Sequence, residues 1–281
     1  MVKSKFLFKI YYIGKKKYYG SQRQRDFLTI EECLLNTLIE KNYINEVNNS
    51  DFEFASRTDR YVSARGAYFT CITEKKPILM EINAALPKDI GIWAYTKVPF
   101  DFSSRYDALM RHYIYIVPRS LTYFQNISTL NFKIMQQACK KLEGQHDFAN
   151  FSKKEKDKIN TIRDMYSVKL SKQNNFLVFD FKSKSFLRQQ IRRIVKKVLE
   201  LGKGEIIYKD FLDLFDSSKE HSYQPVDANG LILWDIKYDD TIELEIDPKS
   251  KERMNNFFLK KEIYFNFKHQ LFRTLQQHDF S

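Results

Sequence analysis

The loop from Ser56 to Ala64 holds the strongest candidates for chemistry, because one carboxylate lies between two arginines directly after an apolar strand. The carboxylate is Asp59, and the arginines are Arg57 and Arg60. Polar loops that follow a strand often carry reactive groups, and a carboxylate there can act as a nucleophile or accept a proton. The same residues can also form a helix cap or an ordinary ion pair, and composition alone favours that structural interpretation.

A second cluster of charge lies on a predicted helix from Leu187 to Leu201. Arg188, Arg192 and Lys196 share one helical face, because residues four apart stack along the helix. We expect this row to line a cleft, while the row of Arg193 and Lys197 points outward. Such runs are also typical of solvated surfaces or of phosphate contacts.

The overall charge indicates the kind of partner. The chain has 47 Lys and Arg residues against 35 Asp and Glu residues, a net charge of +12. This surplus favours a polyanion such as nucleic acid, because phosphates that bind cationic side chains release their counterions. A lysine-rich solubilising surface explains the surplus equally well.

The elements that must position these residues follow from the apolar patterning. A capping box at Thr29 and Glu32 predicts the start of a helix, and Asn174-Asn175 predicts a hairpin turn. Strands mixed with single helices indicate an α+β fold with a mainly antiparallel sheet. The predicted strands are Lys5–Ile13, Asp51–Ala55, Gly66–Thr73, Ile90–Val98, Arg111–Val117, Val168–Leu170, Phe176–Phe181 and Leu231–Tyr238, and the other helices are one ending at Leu86 and Phe132–Leu142.

No metal, cofactor or membrane segment is expected. Cys33, Cys71 and Cys139 lie far apart, and no pair of histidines has the i, i+4 spacing of a metal site. Only 8 glycines occur, and none forms a phosphate-binding loop. The first apolar run, Phe6 to Ile13, is too short to span a bilayer, so we expect a soluble, cytoplasmic protein.

The motif Ser56-Arg57-Thr58-Asp59, followed by Val62-Ser63-Ala64, resembles the Gly-Arg-Thr-Asp signature of the TruA family of pseudouridine synthases. Seven further segments resemble family motifs in family order, between about Lys5 and Tyr238. They are Tyr18-Tyr19-Gly20-Ser21-Gln22-Arg23-Gln24, Asn83-Ala84-Ala85-Leu86-Pro87, Phe102-Ser103-Ser104-Arg105, Arg111-His112-Tyr113-Ile114-Tyr115, Gly144-Gln145-His146-Asp147-Phe148, Phe186-Leu187-Arg188-Gln189-Gln190-Ile191-Arg192 and Ala228-Asn229-Gly230-Leu231-Ile232-Leu233. Each segment is a weak signal alone, but eight in order are a strong one.

The resemblance implies three catalytic residues. Asp59 would be the nucleophile, Arg192 would pair with Asp59 and keep it ionised, and Tyr113 would stack on the target uracil. Each has a simpler alternative: Asp59 as a structural ion pair, Arg192 as a phosphate contact, and Tyr113 as a core ring of its strand.

The resemblance also implies substrate-binding residues. Arg57 would fill the gap that a flipped nucleotide leaves in the RNA. Leu231 would contact the flipped base from the pocket wall. Arg188 is predicted to bind the RNA near Arg192 because of the helical face that the two share, and not because of the resemblance. By pattern alone, Leu231 is a core residue.

Two positions depart from the family pattern. Tyr61 stands where a glycine is usual, so a positive φ there would strain the backbone. Ser21 stands where the family has Trp. Neither departure removes Asp59, but with them the family pattern no longer predicts the geometry of the loop or the substrate preference.

The resemblance implies two similar ferredoxin-like or RRM-like α+β halves, with a basic cleft between them. We place one half at residues 1–107, the second at 108–245, and a helical tail at 246–281 that docks on the C-terminal half. It further implies an isomerase without a cofactor, active as a homodimer on uridines at positions 38–40 of the tRNA anticodon stem-loop. The alternatives are a pseudouridine synthase for other tRNA sites, or a non-catalytic RNA-binding protein. A metal-dependent nuclease would need clustered carboxylates or histidines, which the sequence lacks.

Overall fold

The computed structural model describes residues 3–125, 130–154 and 160–276. The strands in these residues are β1 (Ser4–Tyr12), β2 (Glu53–Phe54), β3 (Ser63–Thr73), β4 (Ile90–Val98), β5 (Met110–Ser120), β6 (Gly144–Asp147), β7 (Ile162–Gln173), β8 (Phe176–Ser183), β9 (Leu231–Lys237) and β10 (Glu245–Ile246). The helices are α1 (Ile30–Glu40), α2 (Leu79–Ala85), α3 (Leu121–Gln125), α4 (Phe132–Lys141), α5 (Gln190–Gly202), α6 (Tyr208–Asp213) and α7 (Pro248–Leu275).

One sheet runs through the molecule in the order β10-β4-β1-β3-β9-β5-β8-β7-β6, and β2 pairs with β3. Every described pairing is antiparallel except that of β3 with β9, where Ser63 lies opposite Ile232 and Ala64 opposite Leu233. The α+β class with a mainly antiparallel sheet is therefore confirmed. The division into two similar halves and the basic cleft stay predictions.

Most predicted elements form at or near their predicted bounds. The strand predicted at Ile90–Val98 has the same first and last residues as β4 in the structure. The Thr29 hydroxyl caps α1 by accepting a hydrogen bond from the Glu32 amide at 3.2 Å. Asn174 and Asn175 have φ values of 45° and 65°, the left-handed pair that a tight hairpin turn between β7 and β8 requires.

The predicted start of α5 at Leu187 is wrong. The helix begins at Gln190, because Gln189 has a φ of 59° and cannot continue a right-handed helix. Arg188 therefore precedes the helix and does not belong to one helical row with Arg192 and Lys196.

The C-terminal tail forms α7, but the expected docking on the C-terminal half is wrong. The two-residue strand β10 pairs with β4 and so places the start of α7 at that end of the sheet, beside the strands of residues 4–98. Met254 is buried there against Tyr11 and Trp93. The Arg253 guanidinium donates to the Tyr11 hydroxyl at 3.0 Å and to the Asn83 carbonyl at 2.9 Å. Across the described parts of the chain, no helix is both long and apolar enough to cross a membrane.

Candidate active site

Asp59 lies in the loop that leads from β2 into β3. Its Oδ2 accepts a hydrogen bond from Arg192 Nη1 at 3.0 Å, which makes an ion pair between residues 133 positions apart. The Asp59 side chain is 37% exposed, whereas the Arg192 side chain is 13% exposed. The carboxylate is therefore oriented on one side and open to a ligand on the other.

Arg192 is itself fixed by the main chain. Its Nε donates to the Val226 carbonyl at 2.8 Å, and the Val226 amide donates to the Arg192 carbonyl at 3.3 Å. Arg192 is the third residue of α5, whose apolar face is buried in the core. A guanidinium held at Nε and Nη1 has little rotamer freedom left, so it fixes the carboxylate that it binds.

Tyr113 and Leu231 lie on the same face of the sheet. Tyr113 on β5 is opposite Leu233 on β9, and residues two apart on a strand share a face, so Leu231 is on that face as well. Burial raises the pKa of Tyr113 to about 12, with a smaller contribution from the Asp59 charge, so the ring stays neutral. Phe186 packs edge-on against the Tyr113 ring, with 5.2 Å between centroids. Both Tyr113 and Leu231 are mostly buried.

Arg57 and Arg188 are exposed. Neither guanidinium has a hydrogen-bond or ion-pair partner among the described residues, although the Arg188 carbonyl accepts from the Lys153 amide at 2.9 Å. The structure thus brings Asp59 and Arg192 close to the sheet face that carries Tyr113 and Leu231. The guanidinium groups of Arg57 and Arg188 are exposed to solvent.

The outward orientation expected for Arg193 and Lys197 is wrong. Both cations lie over the ring of Tyr223, at 5.0 Å and 4.3 Å from its centroid. Lys197 and Lys196 also pair with Glu200, at 2.8 Å and 3.1 Å. Of the charged positions on α5, only Arg192 contacts Asp59.

Arg111 supports the Asp59 loop, a role that the sequence interpretation missed. Its guanidinium is buried and donates to Ser56 Oγ at 2.7 Å, to the carbonyls of Ala55 and Arg105, both at 2.8 Å, and to the carbonyl of Lys184 at 2.5 Å. Side chains alternate along β5, so Arg111 is on the same face as Tyr113. This spacing in the sequence could have identified Arg111 as a residue near the site.

Thr58 is held on three sides. Its amide donates to Ser21 Oγ at 2.8 Å, its carbonyl accepts from the Ser21 amide at 3.1 Å, and its hydroxyl bonds the Tyr12 hydroxyl at 2.8 Å. Gly20, with a φ of 97°, approaches so closely that a Cβ there would lie 2.7 Å from the Thr58 carbonyl oxygen. The Ser21 that replaces the family Trp is therefore a direct anchor of the residue before Asp59.

Tyr61 has a φ of 70°, in the left-handed region that favours glycine. The departure from glycine at this position therefore places a bulky residue in a strained conformation. The ring is partly buried, with the Arg60 guanidinium 5.0 Å from its centroid.

This arrangement suits covalent or acid–base chemistry by a carboxylate. Arg192 orients Asp59, the neutral Tyr113 ring lies on the adjacent sheet face, and the exposed Arg57 is two residues from the carboxylate. In the described ranges, no group of three or more His, Cys, Asp or Glu residues could hold a metal ion.

Comparisons with known proteins give one consistent result. A family model described as tRNA pseudouridine synthase matches residues 138–239, which include Arg192 and Leu231. A tRNA pseudouridine synthase A from Methanothermobacter thermautotrophicus is 34% identical over 250 residues, covering 89% of this chain and 86% of the relative. The enzyme of that name from Archaeoglobus fulgidus is 33% identical over 274 residues, covering 97% and 98%.

Proposed function

The chain belongs to the tRNA pseudouridine synthase A family, and we propose that it converts uridine to pseudouridine in the tRNA anticodon stem-loop, with Asp59 as its nucleophile. The observation that carries this proposal is the contact of 3.0 Å between Arg192 Nη1 and the half-open Asp59 carboxylate. A uridine isomerase that acts through a carboxylate nucleophile needs that group to be accessible and fixed in position, and this pair supplies both.

The reaction conserves the atoms of the substrate. The N1–C1′ bond of uridine breaks, C5 joins C1′, and the proton lost from C5 is balanced by one gained at N1. Asp59 attacks C1′ as the N1–C1′ bond breaks, and C5 then attacks C1′ and displaces the Asp59 carboxylate. Arg192 supports this step by limiting the orientations of the carboxylate.

Arg57, Tyr113, Leu231 and Arg188 would bind the substrate. Arg57 is exposed beside Asp59, so its side chain can replace a base that leaves the helical stack. Tyr113 and Leu231 share one sheet face, where a flat neutral ring and an aliphatic wall suit uracil. Arg188, exposed in front of α5, would contact a phosphate.

The wider setting follows from the same proposal. We place the RNA in a basic cleft between two similar halves, residues 1–107 and 108–245, and we expect a cytoplasmic homodimer. Uridines at tRNA positions 38–40 are the proposed targets, in keeping with the family resemblance.

The test compares wild type with Asp59→Ala on tRNA transcripts. Pseudouridine is mapped by chemical modification and primer extension, and RNA binding is measured by filter retention. Wild type should modify a uridine of the anticodon stem-loop, while Asp59→Ala binds the RNA and leaves no modified base.

Asp240→Ala is the matched control, because that carboxylate is 89% exposed and pairs only with Lys237 in the described structure. It should modify tRNA like wild type. Normal modification by Asp59→Ala would refute its role as nucleophile. Binding by wild type without any modification would instead support an RNA-binding protein, and a modified uridine outside the stem-loop would correct the proposed site.

A further inference from the structure

An exposed basic loop lies next to the Asp59 loop, and its side chains beyond Ser21 have no role in the chemistry described above. It runs from Gly20 to Leu28 and is closed by a hydrogen bond from the Tyr19 amide to the Leu28 carbonyl at 2.9 Å. All side chains from residue 22 to residue 28 are exposed, including Arg23, Arg25 and Phe27. Residues 15–28 contain five basic residues and one acidic residue, Asp26.

Three side chains in this region form a layered stack. The Phe27 and Tyr19 rings are nearly parallel, at an interplanar angle of 19° with centroids 4.1 Å apart. The Arg60 guanidinium lies 3.8 Å from the centroid of the Tyr19 ring. Phe27 and Arg60 would collide if both lay on the same face of the Tyr19 ring. They therefore lie on opposite faces, with Tyr19 between them. Phe27 is the outer layer, and it is 44% exposed.

The stack is fixed relative to the catalytic carboxylate. Arg60 follows Asp59 directly in the chain, and its Nη2 donates to the Lys16 carbonyl at 2.6 Å. Ser21, two residues after Tyr19, binds both the amide and the carbonyl of Thr58, the residue before Asp59. The loop that carries Phe27 and the loop that carries Asp59 are therefore one hydrogen-bonded unit.

We propose that Phe27 is a stacking platform for an unpaired RNA base close to the target uridine; this inference rests on the proposed function. An aromatic face backed by a second ring and a guanidinium is rigid, and every nucleobase has a π-face that can stack on it. Arg23 and Arg25 on the same loop can bind the phosphates on either side of that base. An apolar protein partner would fit less well, because two exposed charged residues, Arg25 and Asp26, directly precede Phe27.

The experiment measures the affinity of wild type and three variants for one fluorescent tRNA transcript by anisotropy. Phe27→Ala should bind about tenfold more weakly, as expected for the loss of one base–aromatic stack. Phe27→Leu should bind as weakly as Phe27→Ala, because it keeps apolar area but has no π-face. Phe27→Trp should bind within about twofold of wild type.

Phe265→Ala is the matched control, since Phe265 is 63% exposed on α7 and has no contact with this loop in the described structure. It should bind like wild type. The inference is overturned if Phe27→Ala also binds like wild type, or if Phe27→Leu restores full affinity. Pseudouridine formation by wild type on the same transcript separates the two proposals: if wild type forms none, the proposed function fails whatever the variants bind.

Discussion

The loop that carries Asp59 and the second half of α7 differ in how their residues are held. In the loop, Ser56, Thr58 and Asp59 each bond a residue far away in the chain. In α7, the segment from residue 259 to residue 275 has eight large apolar side chains that are all exposed. They are Leu259, Ile263, Tyr264, Phe265, Phe267, Leu271, Phe272 and Leu275.

The difference shows where this molecule needs precision. A helix satisfies its own backbone groups, so the end of α7 needs no distant partners for its backbone hydrogen bonds. A loop has no such internal bonds, and a carboxylate that must meet a reacting atom needs to be held within a fraction of an ångström. The distant partners of the loop, and not the local sequence, set that geometry.

The largest effect should come from removing the buried guanidinium under the loop. Arg111→Met removes bonds to Ser56 Oγ and to three carbonyls, and the bonds to Ser56 Oγ and to the Ala55 carbonyl are lost in buried surroundings. We expect the free energy of unfolding to fall by about 3 kcal/mol. Urea titration followed by circular dichroism measures it. Arg119→Met, an exposed position on the same strand, should change it by less than about 0.5 kcal/mol. Equal free energies of unfolding for the two variants would show that Arg111 does not stabilise the loop.

A smaller effect is expected at Ser21. Ser21→Ala leaves the Thr58 amide without its acceptor, so the free energy of unfolding should fall by about 1–2 kcal/mol. Because Thr58 precedes Asp59, kcat should fall while KM for tRNA changes little. The control Ser171→Ala, on β7, should leave both constants as in wild type. A change in KM alone would mean that Ser21 serves binding and not the orientation of Asp59.

The sequence predicts those structural features that are determined by residues close together in the chain. The bounds of β4, the cap at Thr29 and the turn at Asn174-Asn175 follow from residue types within a few positions. The start of α5 could not be predicted, because the left-handed φ of Gln189 leaves no sign in its residue type.

A single sequence can point to a supporting residue such as Arg111, but it does not show which groups that residue bonds. The bonds from Thr58 to Ser21 and from Arg111 to Ser56 span 37 and 55 residues, so they depend on the register of the sheet. The local patterns marked the Asp59 loop and the charged helix of Arg192 as candidates. Their pairing and their catalytic roles were predicted only through resemblance to a family, since the pattern around Asp59 also fits an ordinary ion pair. The docking of α7 was mispredicted because it depends on the pairing of β10 with β4.

Tyr61 allows the strain in the loop to be measured. Tyr61→Gly and Tyr61→Ala remove the same ring, but only alanine keeps a Cβ at a φ of 70°. We expect the glycine variant to be the more stable of the two by about 0.5–1 kcal/mol in urea titration, after the greater chain entropy of unfolded glycine is included. The reverse order would show that the backbone at this position relaxes once the ring is gone.

The smallest effect is expected from shortening α7. Within this helix only Ser250 and Met254 are buried, and the packing against the sheet extends no further than Phe257 and Phe258. A chain that ends at Phe258 should therefore unfold within about 2 °C of the full chain in calorimetry, since exposed positions contribute little to stability. Met254→Ala, which opens a cavity in the packed part, should lower the free energy of unfolding by about 2–4 kcal/mol. If the shortened chain is destabilised as much as Met254→Ala, the apolar side chains beyond Phe258 are packed in solution, and the contrast with the Asp59 loop disappears.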